Sequence, residues 1–140
     1  MDFIISKTPL VLNFFLPFLI GSLLFFSTII APTVFKYLDE KNSRIFIRAI
    51  FPKLYTWAFI ICLILSALSF FYNILFSTIL LVIASIYLFS KKYLVKWLNT
   101  ISDMPKKTKQ QQKKFVLLHT LSVIIFICQI LILLILYYFI

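Results

Sequence analysis

The chain has 140 residues, of which 63% are hydrophobic and only 13% are charged. Soluble domains are about 45–50% apolar and about 25% charged, and a chain this short has too little interior to hide so much apolar surface from water. The composition therefore excludes an ordinary soluble fold and makes lipid the solvent for much of the chain. The net charge of +10 favours anionic lipid headgroups as partners rather than nucleic acid, because the basic residues flank apolar segments.

Four apolar stretches without Lys, Arg, Asp or Glu are each long enough to cross a hydrocarbon core of roughly 30 Å as a helix. The first is longer than the core of a signal peptide and is followed by Pro32, so we expect a retained helix. The sequence predicts an all-α, integral membrane four-helix transmembrane bundle that forms one domain over residues 1–140. Its spans are predicted at approximately 10–31, 54–71, 74–90 and 115–139.

The connections between the spans predict how the bundle is oriented. Only Tyr72 and Asn73 separate the second and third spans, so these form a tight hairpin, because a single helix would be far longer than the bilayer. All of the 14 Lys and Arg residues except Lys7 lie between helices one and two or between helices three and four. The positive-inside rule places both segments in the cytoplasm and both termini outside, in a bacterial-type inner membrane.

The two basic segments are predicted to be amphipathic, cytoplasmic-side helical extensions. Apolar residues recur at helical spacing over residues 94–101, so helix three should continue into the interface until Pro105 breaks it. Residues from Lys106 are expected to begin a polar extension of helix four. Residues 39–53 read as an amphipathic helix on the membrane surface that leads into helix two, with a bend at Pro52.

Six basic residues of these segments are predicted to bind anionic headgroups. A Lys or Arg near such a surface contributes about 1 kcal/mol of attraction. The six residues are Lys41, Arg44, Lys91, Lys92, Lys106 and Lys107.

His119 is an ionisable residue within a predicted span, about one turn into helix four, and such residues are functional candidates. One interpretation is a hydrogen bond to a neighbouring helix. The other is a haem ligand, which needs a second axial ligand or an open coordination site. Gln129, deeper in the same helix, is expected to make an interhelical hydrogen bond.

Arg48 is predicted to lie near the same membrane boundary as His119. We expect a polar cluster at the basic side that brings together Arg48, Pro52, Tyr55, His119 and Ser122. Ser122 follows His119 by three positions and shares its helix face. A headgroup contact is the equally weighted alternative for Arg48.

No catalytic constellation and no metal-binding pattern is visible. The chain has one His and one Gly, and Cys62 and Cys128 lie singly in apolar runs. The sequence therefore favours a non-enzymatic accessory, structural or transport-related bundle without a cofactor, and leaves a homo-oligomer open. A haem- or redox-linked oxidoreductase centred on His119 is the alternative.

Four short motifs, taken in order and spacing, resemble one family. Helix one contains Gly21 and ends in APTVF, the first basic segment contains RIFIRAIFPKLY, Asn99 and Asp103 precede helix four, and helix four opens with KKFVLLHTLSV. The chain resembles the transmembrane-protein-205-like family, four-span membrane proteins that share a domain of unknown function. The resemblance covers most of the chain, implies the four-span fold and brings no established reaction.

The chain departs from the pattern of that family at two places. An Asn is typical of the middle of helix four, where Phe126 stands here, and an Arg is typical between the positions of Asn99 and Asp103, where this chain has Thr, Ile and Ser. If these polar groups act together with His119 in the family, this chain lacks part of that arrangement.

Overall fold

The computed structural model describes residues 2–140, with side chains from Ser6 onward. The described residues contain helices and short connections and no strand. Two of the helical stretches pass through a π turn, in which an N–H pairs with the carbonyl five residues back. In chain order the elements are α1 (Asp2–Phe25), a first π turn (Phe26–Ile30), α2 (Ala31–Tyr37), α3 (Glu40–Ser69), α4 (Ile74–Phe89), a second π turn (Ser90–Leu94), α5 (Val95–Ser102) and α6 (Lys109–Tyr138).

These elements form four stretches that are long and apolar enough to cross a membrane, which confirms the predicted all-α, four-span fold. Each has 29 to 32 residues, or about 45 Å at roughly 1.5 Å per residue. Each is therefore longer than a hydrocarbon core of about 30 Å, and its polar end projects beyond it. The four stretches are Ser6–Tyr37, Glu40–Ser69, Ile74–Ser102 and Lys109–Tyr138.

The predicted hairpin between α3 and α4 is confirmed, and polar contacts hold it. The Asn73 side chain accepts hydrogen bonds from the N–H groups of Leu75 and Phe76 at 3.0 and 3.2 Å, which satisfies free donors in the first turn of α4. Farther from the turn, Ser66 and Ser77 are buried, and each donates its hydroxyl to the backbone carbonyl of the other at 2.8 Å. The two helices pack along much of their length.

The basic segments, residues 36–53 and 91–114, lie at one end of the bundle, which we call the basic end. As predicted, α4 continues through the second π turn and α5 as far as Ser102. Residues 40–53 form the first part of α3, so they are a helical extension of the second span, and the helix passes through Pro52 without interruption.

The start of α6 differs from the expectation, because the helix begins at Lys109 rather than at Lys106. Thr108 caps the helix. Its hydroxyl accepts the N–H of Gln111 at 3.2 Å, and the Gln111 side chain accepts the N–H of Thr108 at 2.9 Å. This reciprocal capping box defines the helix start and leaves Lys106 in the preceding connection.

The core lies along one face of α1 and extends to α3, α4 and α6. On α1, Leu12, Leu16, Leu19 and Leu23 have no exposed surface, and their spacing of three to four residues is that of one helix face. The predicted interhelical hydrogen bond of Gln129 is confirmed, since its Nε2 donates to the carbonyl of Ile83 on α4 at 3.2 Å.

At the basic end the helices form an incomplete ring. Helix α2 packs against α3, α3 against α5, and α5 against α6. Within the described part of the chain, α6 has at most a marginal contact with α2 or with α3. The ring therefore has an unpacked edge between α6 and α2, and its centre is not filled by side chains.

Candidate functional site

A cavity of about 1160 Å³ lies inside the incomplete ring at the basic end. This volume exceeds the roughly 300–1,000 Å³ of ordinary small-molecule sites. Along α6 the lining extends from Phe115 to Leu134, which is about 28 Å at roughly 1.5 Å per residue. This length approaches the thickness of the hydrocarbon core, and the α6 lining falls within the predicted fourth span, so the cavity is an elongated site.

The first π turn borders the cavity, and the sequence explains why it forms. Pro32 has no N–H, so the carbonyl of Thr28, four residues earlier, lacks its ordinary helical donor. The chain takes the wider step instead, and the N–H of Ala31 donates to the carbonyl of Phe26. The Thr28 hydroxyl donates to the carbonyl of Leu24 at 2.7 Å. The turn places Phe26 and Thr28 in the cavity wall, and such turns are frequent at functional sites.

The floor of the cavity is aromatic. The ring of Phe26 meets that of Phe51 nearly edge-on, with centroids 5.2 Å apart. Phe51 in turn lies 5.8 Å from Tyr55, and Tyr55 lies 6.1 Å from the buried Tyr87. Leu, Ile and Val side chains of α6 form most of the opposite wall. The greater part of the cavity is therefore suited to an apolar group.

Charged residues line the cavity only toward the basic end. They are Arg44, Arg48, Lys107 and Glu40. Arg44 and Glu40 are one helical turn apart on α3 and form an ion pair of 2.6 Å, in which both side chains are largely exposed. The cavity therefore combines a long apolar part with a short, predominantly cationic part.

Arg48 makes an ion pair that sequence reasoning did not find. Its Nη2 lies 2.6 Å from Oδ1 of Asp103, so the pair joins α3 to the connection between α5 and α6. The Nη2 atom is buried, and its N–H groups do not point at the carboxylate well enough to form a hydrogen bond. The Asp103 side chain, by contrast, is 58% exposed. The contact is Coulombic and leaves the donors of Nη2 unused.

His119 lines the cavity and is exposed there. Its ring is parallel to that of Phe115, one turn earlier, with centroids 6.1 Å apart. Ser122 donates its hydroxyl to the carbonyl of His119 at 2.7 Å. Within the described residues, the His119 ring makes no hydrogen bond to a neighbouring helix, so that interpretation is wrong. Haem ligation by His119 stays a hypothesis.

Four members of the predicted polar cluster line this one cavity: Arg48, Tyr55, His119 and Ser122. Pro52 does not contribute to the wall, and its carbonyl accepts the hydroxyl of Thr56 at 2.7 Å. A common functional role for these residues stays a prediction.

The residues predicted to bind headgroups all lie at the basic end, and two of them, Arg44 and Lys107, line the cavity. The Lys107 ammonium lies 5.5 Å from the centroid of the Phe115 ring. Lys91 is half-buried in the second π turn, whereas the other three residues are exposed: Lys41, Lys92 and Lys106. Their contacts with lipid headgroups stay a prediction.

The described residues contain no group of three or more His, Cys, Asp or Glu side chains that could hold a metal ion. Cys62 and Cys128 are free thiols, the first buried and the second exposed. Phe126, which stands where the resembling family has an Asn, is buried and contributes an apolar surface to the cavity wall.

Fold and cavity together define a small integral membrane protein with four membrane-crossing helices and an amphipathic cavity at its basic end. The sequence narrows this class further. Residues 14–101 match the family described as a domain of unknown function, DUF4149, and the chain belongs to that family. The match begins in the middle of α1 and continues into α5, whereas α6 lies outside it. No curated protein and no solved structure matches the chain.

Proposed function

We propose that this protein is a non-enzymatic, accessory or transport-related membrane protein that binds an amphipathic molecule in the cavity at its basic end. The cavity itself carries the proposal. Its lining along α6 approaches the thickness of a hydrocarbon core, its deeper part is apolar, and its charged residues are confined to one end. The absence of Lys, Arg, Asp and Glu from the predicted spans supports a role in binding rather than in proton or ion relay.

The proposed setting is a bacterial-type inner membrane, with the basic end in the cytoplasm and both termini outside. The concentration of Lys and Arg in two segments supports this orientation. The exposed lysines of the basic end would contact anionic headgroups and hold the mouth of the cavity at the level of the membrane surface. The resemblance to the transmembrane-protein-205-like family is consistent with this setting and contributes no reaction.

A pair of substitutions on α6 tests whether the cavity is the binding site. Ile127 lines the cavity, and Ile124, one turn earlier, does not. The two side chains are 50% and 52% exposed. Ile127→Trp inserts an indole into the cavity, whereas Ile124→Trp makes the same chemical change on a surface outside it, so the second variant is a matched control.

Native mass spectrometry of the delipidated protein, titrated with a mixture of membrane phospholipids, measures the bound amphiphile. We expect the unmodified protein and Ile124→Trp to retain a lipid adduct after the detergent is removed. We expect Ile127→Trp to lose at least four-fifths of it (roughly the fivefold change that about 1 kcal/mol produces). Equal adducts on the two variants, or no adduct on the unmodified protein, would contradict the proposal.

A further inference from the structure

We propose that the occupant of the cavity is an anionic lipid from the surrounding bilayer, whose acidic headgroup takes the place of the Asp103 carboxylate beside Arg48. This inference rests on the proposed function and deepens it, because it names the ligand class and the residue that selects it. In the structure, Asp103 provides the negative charge that the headgroup would provide in the complex.

The shape of the site favours a lipid over a free anion. The edge between α6 and α2 is unpacked, so the cavity opens toward the side of the bundle. In a bilayer, lipid acyl chains surround that side. The apolar part of the lining along α6, from Val123 to Leu134, is about 17 Å long, and one leaflet contributes about 15 Å of hydrocarbon. An acyl chain therefore fits along the aromatic floor formed by Phe26, Phe51 and Tyr55.

The charges at the basic end favour an acidic headgroup. Arg44, Arg48 and Lys107 line this part, and Glu40, which pairs with Arg44, is the one carboxylate among the lining residues described. An arginine presents a planar set of donors that matches a phosphate with two parallel hydrogen bonds. Lys107, held over the Phe115 ring, adds a second charge at the mouth of the cavity.

The Arg48–Asp103 contact is suited to exchange. Because Nη2 of Arg48 is buried and forms no well-directed hydrogen bond, a better-placed anion would gain donors that the carboxylate does not use. Because the Asp103 side chain is 58% exposed, its carboxylate regains water easily when it leaves. Asp103 is the C-cap residue of α5, and rotation of its side chain can release Arg48 while the Asp103 N–H keeps its hydrogen bond to the carbonyl of Asn99.

Competition between Asp103 and the headgroup makes opposite predictions for the two partners. Asp103→Asn removes the competing charge and should raise the affinity for an anionic lipid severalfold. Arg48→Gln removes the selecting charge and should abolish the preference for anionic over zwitterionic lipid. Lys92→Gln also removes one positive charge, but from an exposed position outside the cavity. It is the control for non-specific attraction between the basic protein surface and anionic lipid.

The experiment titrates the full-length, delipidated protein with three probes and measures adducts by native mass spectrometry. The probes are phosphatidylglycerol, phosphatidylcholine and glycerol phosphate, which has a phosphate and no acyl chain. We expect phosphatidylglycerol to bind about tenfold more tightly than phosphatidylcholine, and glycerol phosphate to bind negligibly. The preference should persist in Lys92→Gln, fall to unity in Arg48→Gln, and grow at least threefold in Asp103→Asn.

Retained binding of phosphatidylcholine by Arg48→Gln shows that this variant is folded. If it binds neither lipid, Arg48→Lys serves in its place and should keep at least part of the preference for phosphatidylglycerol. The inference fails, and the proposed function survives, if both lipids bind equally in a way that Ile127→Trp abolishes. It also fails if glycerol phosphate binds as tightly as the lipid, or if Asp103→Asn leaves the preference unchanged. No binding of either lipid to the unmodified protein overturns the proposed function itself.

Discussion

The Arg48–Asp103 ion pair is expected to stabilise the fold more than the Arg44–Glu40 pair. In each pair the arginine Nη2 lies 2.6 Å from a carboxylate oxygen. The two pairs differ in burial. The Arg44 side chain is 43% exposed, and that of Arg48 is 29% exposed with a buried Nη2. Water therefore screens the second pair less than the first, and does so chiefly from the Asp103 side.

The expected magnitudes follow from this difference. An exposed pair one turn apart on a helix contributes about 0.3–0.5 kcal/mol. For Arg48–Asp103 we expect a coupling energy of about 1 kcal/mol, the upper end for partly exposed pairs, because Asp103 remains solvated. Asp103→Asn alone should cost about 1–2 kcal/mol, since it leaves a buried cationic donor without a counter-charge.

Double-mutant cycles measure both couplings. The substitutions are Arg48→Gln with Asp103→Asn, and Arg44→Gln with Glu40→Gln as the matched control. Glu40 lies in the first turn of α3 and also interacts with the helix dipole, so Glu40→Gln alone would lose both contributions. The double-mutant cycle separates the ion pair from the dipole interaction. Unfolding of the delipidated protein is followed by circular dichroism while sodium dodecyl sulfate replaces the mild detergent, so that bound lipid does not shift the apparent stability.

A coupling for Arg48–Asp103 that is no larger than that for Arg44–Glu40 would refute the reasoning. It would mean that burial of Nη2 does not strengthen the pair, and that Asp103 does not hold the α5–α6 connection against α3. A coupling well above 2 kcal/mol would equally contradict it, because an Asp103 that is 58% exposed cannot supply the energy of a fully desolvated pair.

Three further predictions concern the hairpin, the cofactor hypothesis and the orientation. Ser66→Ala and Ser77→Ala should each lower the free energy of unfolding by about 0.5–1.5 kcal/mol in the same titration. The double variant should lose less than the sum, because the two hydroxyls belong to one contact. Additive losses would show that the hydroxyls act separately. The purified protein should have no Soret band, and a band that disappears in His119→Ala would overturn the non-enzymatic assignment. A reporter fused after Ile140 should be active outside the membrane and one inserted within residues 106–114 inside it; a cytoplasmic C-terminus would contradict the proposed orientation.

Some features that the prediction missed were nevertheless readable in the sequence. Thr108 and Gln111 have the spacing of a capping box, which marks the start of α6 at Lys109. The run of Ser27 and Thr28 ahead of Pro32 combines hydroxyls that bond back to the helix with a residue that lacks an N–H, which is the local cause of the first π turn. Both signals act within one or two turns of the chain.

The Arg48–Asp103 pair and the cavity, by contrast, could not be predicted from local sequence signals. Arg48 was predicted to contact a headgroup or to join the cluster with His119, and its partner lies far along the chain on the other side of the hairpin. Every cation of the basic end was a comparable candidate for Asp103. Which of them it meets depends on how α5 packs against α3, and no local pattern contains that information.

The sequence by itself determined that the chain crosses a membrane four times, that Tyr72 and Asn73 turn a hairpin, and that the basic residues gather at one end. These properties depend on the hydropathy, length and charge of short segments, because each segment partitions between lipid and water according to its own residues. Only the tertiary structure decided that α6 packs beside α1 and α5 and leaves an open edge toward α2. It thereby decided that Arg48, Tyr55, His119 and Ser122 line one cavity. The physical reason is that packing depends on which faces of distant helices meet. The spans are apolar on nearly all sides, so their sequences do not indicate which face contacts which neighbour.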